Sequence, residues 1–138
     1  MAELIDETYK PSDDEPYMNP RQVEYFRRKL HDWRDEILKG SGLTLKQLQE
    51  EDTRLPDASD WATADAQRNF ELRTRDRERK LLNKIGAALK RIEDGTYGFC
   101  EETAEPIGVR RLEARPIATL SIEAQERHER RERAYRES

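Results

Sequence analysis

Leu55-Pro56-Asp57-Ala58-Ser59-Asp60-Trp61-Ala62 is the stretch on which the fold turns. Pro56 cannot continue a helix, because its ring removes a backbone donor and clashes with the preceding turn. Asp57 or Ser59 can cap a new helix directly afterwards, and a carboxylate there sits near the positive end of the helix dipole. A stop and a restart so close together predict a turn between two helices. Upstream, Phe26, Leu30, Trp33 and Ile37 step by 4, 3 and 4 residues. Downstream, Leu81, Ile85, Ala88 and Ile92 repeat those steps. That spacing is the seam of a coiled coil, and two such helices joined by a short turn pack antiparallel.

The outer ends of the hairpin are also marked. Asn19-Pro20 starts the first helix: Asn caps, and Pro in the first turn loses no hydrogen bond. Gly40-Ser41-Gly42 interrupts it, at a cost of about 2 kcal/mol for two exposed glycines. The helix resumes at Leu43 or Thr44 and runs to about Asp52. The second continues past Gly86 to about Glu93, and Asp94-Gly95-Thr96-Tyr97-Gly98 ends it. Each arm is about 35 residues, or roughly 50 Å at 1.5 Å per residue.

Composition agrees with a rod. Of the 138 residues, 34% are hydrophobic and 41% charged, too few apolar groups for a large round core. The net charge of −4 excludes a generally basic nucleic-acid binder. The charge is uneven: Glu50 to Asp65 holds six carboxylates against Arg54, whereas Arg68 to Arg91 holds nine Arg or Lys against three acids. An acidic end on a basic shaft suits oriented docking to a charged partner. Cys100 is the only cysteine, so no internal disulfide forms. No apolar run approaches the roughly 20 residues a membrane helix needs, and no leader is visible. The expected place is the cytoplasm, without a membrane.

Four segments follow. Residues 1–19 read as a flexible acidic arm, with Pro11 and Pro16 and no clear period. Residues 20–94 form the hairpin, with its tip at about 53–62. Residues 95–121 form a compact segment of short apolar runs. Residues 122–138 form a last helix with one narrow packing face and Ser121 as its expected N-cap.

At the tip, Asp57 and Asp60 are three apart and share one face if the helix has begun. They either cap the helix or present charge to cations of a partner, such as a metal ion or basic side chains. A catalytic carboxylate pair is disfavoured, since a hairpin tip offers no pocket that excludes water. On the shaft, Arg73-Thr74-Arg75-Asp76-Arg77-Glu78-Arg79-Lys80 reads mainly as a solvated, ion-paired face. Extending the seam back from Leu81 places Arg77 on it, a polar residue where a coil wants an apolar one.

The shaft run Glu71 to Leu81, the segment Tyr97-Gly98-Phe99-Cys100 and the run Arg111-Leu112-Glu113-Ala114-Arg115-Pro116 together resemble the DksA/TraR family of transcription factors. The tip also resembles that family's Asp-x-x-Asp-x-Ala, through Asp57, Asp60 and Ala62. The resemblance extends from Met18 to about Arg131. It implies an all-α-dominated fold: an antiparallel coiled-coil hairpin on a small globular zinc-finger-like base with a C-terminal helix. It implies a monomer that binds bacterial RNA polymerase through its secondary channel and modulates initiation, including at ribosomal-RNA and stringent-response promoters. No enzymatic activity and no sequence-specific DNA binding are expected. Asp57, Asp60 and Ala62 would lie near the polymerase active site, and Arg77 matches a polymerase-contacting shaft residue. The effector ppGpp would bind at the interface, where Leu81, Lys84, Arg115 and Gln125 match the family's site. Gln125 is commonly Lys there, which implies a weaker phosphate contact. Two other classes stay open: a transcript-cleavage factor of the same channel, decided by a cleavage assay, and a structural coiled-coil adaptor, favoured by failure to compete with a known channel binder.

The chain departs from the family at its metal site. Four zinc-binding cysteines in two Cys-x-x-Cys pairs correspond here to Cys100, Thr103, Ser121 and Ala124. One ligand in four remains, and His31 and His128 lie outside the pattern. The expectation is therefore no zinc and no stably bound cofactor. A structural zinc supplies roughly 10–16 kcal/mol of folding free energy in finger peptides, so packing must replace it. Cys100 then reads as a small buried residue, with redox sensing as the sharper alternative.

Overall fold

The structure is a computed structural model that describes residues 5–41 and 66–137. The tip residues Asp57, Asp60 and Ala62 lie outside the described residues, as does the helix restart expected after Pro56. Within them the chain is helical: α1 is Pro20–Ser41, α2 Ala66–Asp94, α3 Val109–Ala114 and α4 Ile122–Glu137. Among the described residues the only β-type pairing is an isolated bridge between Phe99 and Pro106.

The helix ends follow from identifiable groups. Asn19 caps α1: its Oδ1 accepts the amides of Arg21 at 2.9 Å and Gln22 at 3.2 Å. α1 is helical through Gly40 and Ser41, and the resumption expected at Leu43 or Thr44 lies outside the described residues. After α2, Gly95 takes φ 79°, and the amides of Thr96 and Tyr97 both donate to the Arg91 carbonyl, at 2.9 and 3.2 Å. A left-handed residue there lets the chain fold back onto the last carbonyls. Ser121 caps α4, its Oγ accepting the Ala124 amide at 3.2 Å. The short α3 is not signalled in the sequence, because Gly108 offers no side-chain cap. Its helical turn buries Val109 and Leu112, and that burial makes it form.

The chain divides into two compact units, residues 1–30 with 87–138 and residues 31–86. Both long helices continue across the division. In the first unit the core holds Phe26, Leu30, Ala88, Tyr97, Ile107, Val109, Leu112, Ala118 and Ala124. The Phe26 ring lies 5.8 Å from that of Tyr97 and 5.2 Å from that of Tyr25. Glu113 of α3 ties to α1, accepting from Lys29 Nζ at 2.8 Å. Burial pushes the Glu113 carboxyl up, but hydrogen bonds from Lys29 and Tyr25 outweigh it and hold it below the usual range.

In the second unit, Leu82 and Ile85 are buried on α2. This corrects the expected register there: Leu81 is half-buried, and Arg77 is exposed rather than seated on the seam. Stepping back from Ile85 by 3 and 4 gives Leu82 and Glu78, and Glu78 is the half-buried residue. Asp76 pairs with Arg79, whose side chain is largely buried, and, at 3.0 Å, with the exposed Lys80. Such pairs along a helix are worth about 0.2–0.5 kcal/mol each.

The N-terminal segment also differs from expectation. Residues 5–19 form turns that pack within the first unit instead of an unattached arm, and Ile5 is buried. Tyr9 stacks edge-on to Tyr25 at 6.1 Å, with the Arg21 guanidinium 4.5 Å above its ring. Among the described residues, no helix is long and apolar enough to cross a membrane.

Candidate functional site

Two surfaces carry the residues singled out by sequence: one face of α2, and the base between Tyr97 and α4. On α2, Arg77, Leu81 and Lys84 are spaced 4 and 3 apart, so one face presents all three. Arg77 and Lys84 are exposed, and Leu81 is half-buried beside them. Two cations flanking an aliphatic side chain make a surface for an anionic or acidic partner with an apolar component.

The base is organised by a loop from Gly98 to Gly108. These glycines take φ 92° and 108°, which side chains rarely adopt. The Ile107 amide donates to the Gly98 carbonyl at 2.8 Å, and the Cys100 amide to the Glu105 carbonyl at 2.8 Å. The Ala104 amide donates to the Cys100 carbonyl at 2.9 Å, closing a tight turn over Cys100 to Thr103. A second segment joins it through the Glu101 amide, which donates to the Thr119 carbonyl at 2.9 Å.

The four positions that match the family's metal site lie here. Cys100 is 3% exposed. Burial pushes its thiol up, but hydrogen bonds from the Thr103 hydroxyl and from the amides of Ser121, Thr103 and Glu102 outweigh it and bring it down to about 6. Cys100, Thr103 and Ser121 therefore meet at one sulfur. Ala124, fully buried, adjoins them through its bond to Ser121 Oγ. The donor set is one thiol, two hydroxyls and a methyl. Tetrahedral structural zinc takes four thiolate, imidazole or carboxylate ligands, and Ser121 Oγ is already engaged in capping α4. Among the described residues there is no group of three or more His, Cys, Asp and Glu placed to hold a metal. The nearby imidazole of His128 pairs instead with Glu102, which Arg131 approaches at 3.8 Å.

Arg115 closes α3, its amide donating to the Arg111 carbonyl at 2.7 Å, and its side chain is exposed. Gln125 is half-buried on α4 and donates from Nε2 to Glu129 at 3.2 Å. The run Arg111 to Pro116, found in sequence as a motif, has separate structural duties. Arg111 Nε donates to the Leu120 carbonyl at 2.9 Å, Leu112 fills the core, Glu113 holds Lys29, and the Pro116 carbonyl accepts the Tyr97 hydroxyl at 2.8 Å. Sequence reasoning missed Tyr17, whose phenol bonds both ends of the loop. The signal was an aromatic residue just before a helix cap in an otherwise acidic segment.

Residues 22–92 match the family model described as the DnaK suppressor protein DksA, N-terminal domain. Residues 95–130 match the prokaryotic dksA/traR C4-type zinc finger. An RNA polymerase-binding transcription factor DksA of Caulobacter vibrioides is 60% identical over 129 residues, 94% of this chain and 91% of that protein. Its namesake in Escherichia coli K12 is 42% identical, covering 92% and 84%. Among solved structures, transcription factor DksA2 from Pseudomonas aeruginosa superposes with a TM-score of 0.69 at 45% identity, covering 87% of this chain and 95% of that one. The helical order and the coiled-coil hairpin class are those of this group.

Proposed function

The chain belongs to the DksA family of transcription factors, and from that premise we propose that it binds bacterial RNA polymerase and modulates transcription initiation by entering the secondary channel. It is a regulator, not an enzyme. The observation that carries the mechanism is the exposed face of α2, with Arg77, Leu81 and Lys84 in one row. In this reading Arg77 contacts polymerase on the shaft while Asp57, Asp60 and Ala62 reach toward the active site. The effector ppGpp binds at the interface, its phosphates facing Lys84 and Arg115, with Leu81 and Gln125 beside it. Gln125 brings no charge to that contact. The place of action is the cytoplasm, where polymerase is, and the chain acts as a monomer. The test is purified transcription from a ribosomal-RNA promoter with and without ppGpp. Output falls when the protein is added, and falls further with ppGpp; unchanged output in both arms removes the proposal.

The same reading takes the base to be free of zinc, because Thr103, Ser121 and Ala124 provide no second thiolate beside Cys100. Metal analysis of purified protein should find far less than one zinc per chain, and a chelator should leave the unfolding midpoint unchanged. A stoichiometric metal that stabilises the fold would overturn this.

A further inference from the structure

A finger base without a metal needs another cross-link, and the structure holds a candidate outside the four ligand positions. The Tyr17 hydroxyl donates to the Gly98 carbonyl at 2.6 Å and accepts the Gly108 amide at 2.9 Å. Gly98 and Gly108 are the two ends of the loop that carries Cys100. One phenol thus bridges both ends, beside the direct bond from the Ile107 amide to the same Gly98 carbonyl. The Tyr17 ring stands edge-on to Phe99 at 5.5 Å and 87°. Met18 lies so close to Gly98 that a methyl added there would sit 2.9 Å from its Cγ and Sδ. The loop is shaped to receive these two side chains.

The segment that presents Tyr17 is itself anchored. Gln22, on the first turn of α1, is fully buried. Its Nε2 donates to the Ser12 carbonyl at 3.0 Å, and its Oε1 accepts the Met18 amide at 2.8 Å. A buried amide is tolerated only when its polar atoms are bonded, and both bonds here go to residues 5–19. The Tyr9–Tyr25 contact and the Arg21 guanidinium over Tyr9 fasten the other end.

We infer that residues 5–19 form a clasp, closed by the Tyr17 phenol on Gly98 and Gly108, which holds the cysteine-bearing loop in its folded form without a metal. The clasp ties the loop to α1. The junction between the Cys100 turn and the start of α4 is held separately, by the bond from the Glu101 amide to Thr119 and by the Glu102–His128 pair. This inference rests on the metal-free reading of the base.

The experiment is residue-resolved hydrogen exchange on the full chain, comparing wild type with Tyr17→Phe and Tyr9→Phe, each with and without a chelator. Tyr17→Phe keeps the ring and removes the hydroxyl. Tyr9→Phe removes a hydroxyl that bonds Glu15 inside the clasp and touches no loop atom. Exchange at the Gly108 and Ile107 amides should rise about fivefold or more in Tyr17→Phe, the loss expected from one net hydrogen bond. It should stay within about twofold in Tyr9→Phe, with the α2 amides unchanged in both. Unchanged loop exchange in Tyr17→Phe, or an equal rise in both variants, overturns the clasp. A rise produced in wild type by the chelator alone overturns the metal-free reading instead, so the two failures are distinct.

Discussion

Asp57→Asn should abolish the effect on ribosomal-RNA promoter output while leaving polymerase binding within about twofold of wild type. The substitution keeps the side chain's size and removes one negative charge. In the proposed reading Asp57 reaches toward the polymerase active site, and its charge is the feature that acts there. Two unit charges 4 Å apart interact by about 4 kcal/mol at an effective dielectric of about 20, against about 1 kcal/mol for a neutral hydrogen bond. Binding survives because the shaft residue Arg77, exposed on α2, lies elsewhere on the chain. Purified transcription with a polymerase-binding assay separates the two effects. Normal regulation by Asp57→Asn would show that the tip charge is not the means of action, and an equal loss of binding and regulation would make the tip a docking element.

Phe26→Ala should cost about 3–5 kcal/mol of stability, measured by urea unfolding. Phe26 is fully buried, and its ring meets those of Tyr25 and Tyr97. It joins α1 to the segment after α2, so the cavity opens where the helices meet the base. Truncation leaves Tyr97 without its ring contact, although the Tyr97 hydroxyl keeps the Pro116 carbonyl. A loss below about 1 kcal/mol would mean that the surrounding side chains collapse into the space. Regulation at temperatures well below the midpoint should persist, since Phe26 presents nothing to a partner.

Features set by a few neighbouring residues were readable in advance. Asn19-Pro20 starts α1, and Ser121 caps α4. Each is local chemistry: a side-chain oxygen at a helix start accepting an amide about one turn on. The seam was readable as a period but less so in register. A heptad pattern names a stripe, and Leu81 and Leu82 are adjacent candidates separated by 100° around the helix. Burial chose Leu82, and with it moved Arg77 into solvent.

The base was legible only as a signature. Glu113 meets Lys29 across 84 positions and Tyr17 meets Gly108 across 91. No period or spacing encodes such partners, because they depend on where two distant segments arrive. Cys100, Thr103 and Ser121 were singled out from family likeness, but the lowering of the Cys100 thiol was not. It follows from the hydroxyl and amides aimed at the sulfur.

The acidic run from Glu50 to Asp65, the helical periods, the helix caps and the single cysteine are properties of the amino-acid order, because each depends on residue type at short range. The α2 face that solvent sees, the duties of Arg111 to Pro116 and the clasp of residues 5–19 came from tertiary structure. They depend on which distant groups share one buried space, and folding alone brings those groups together.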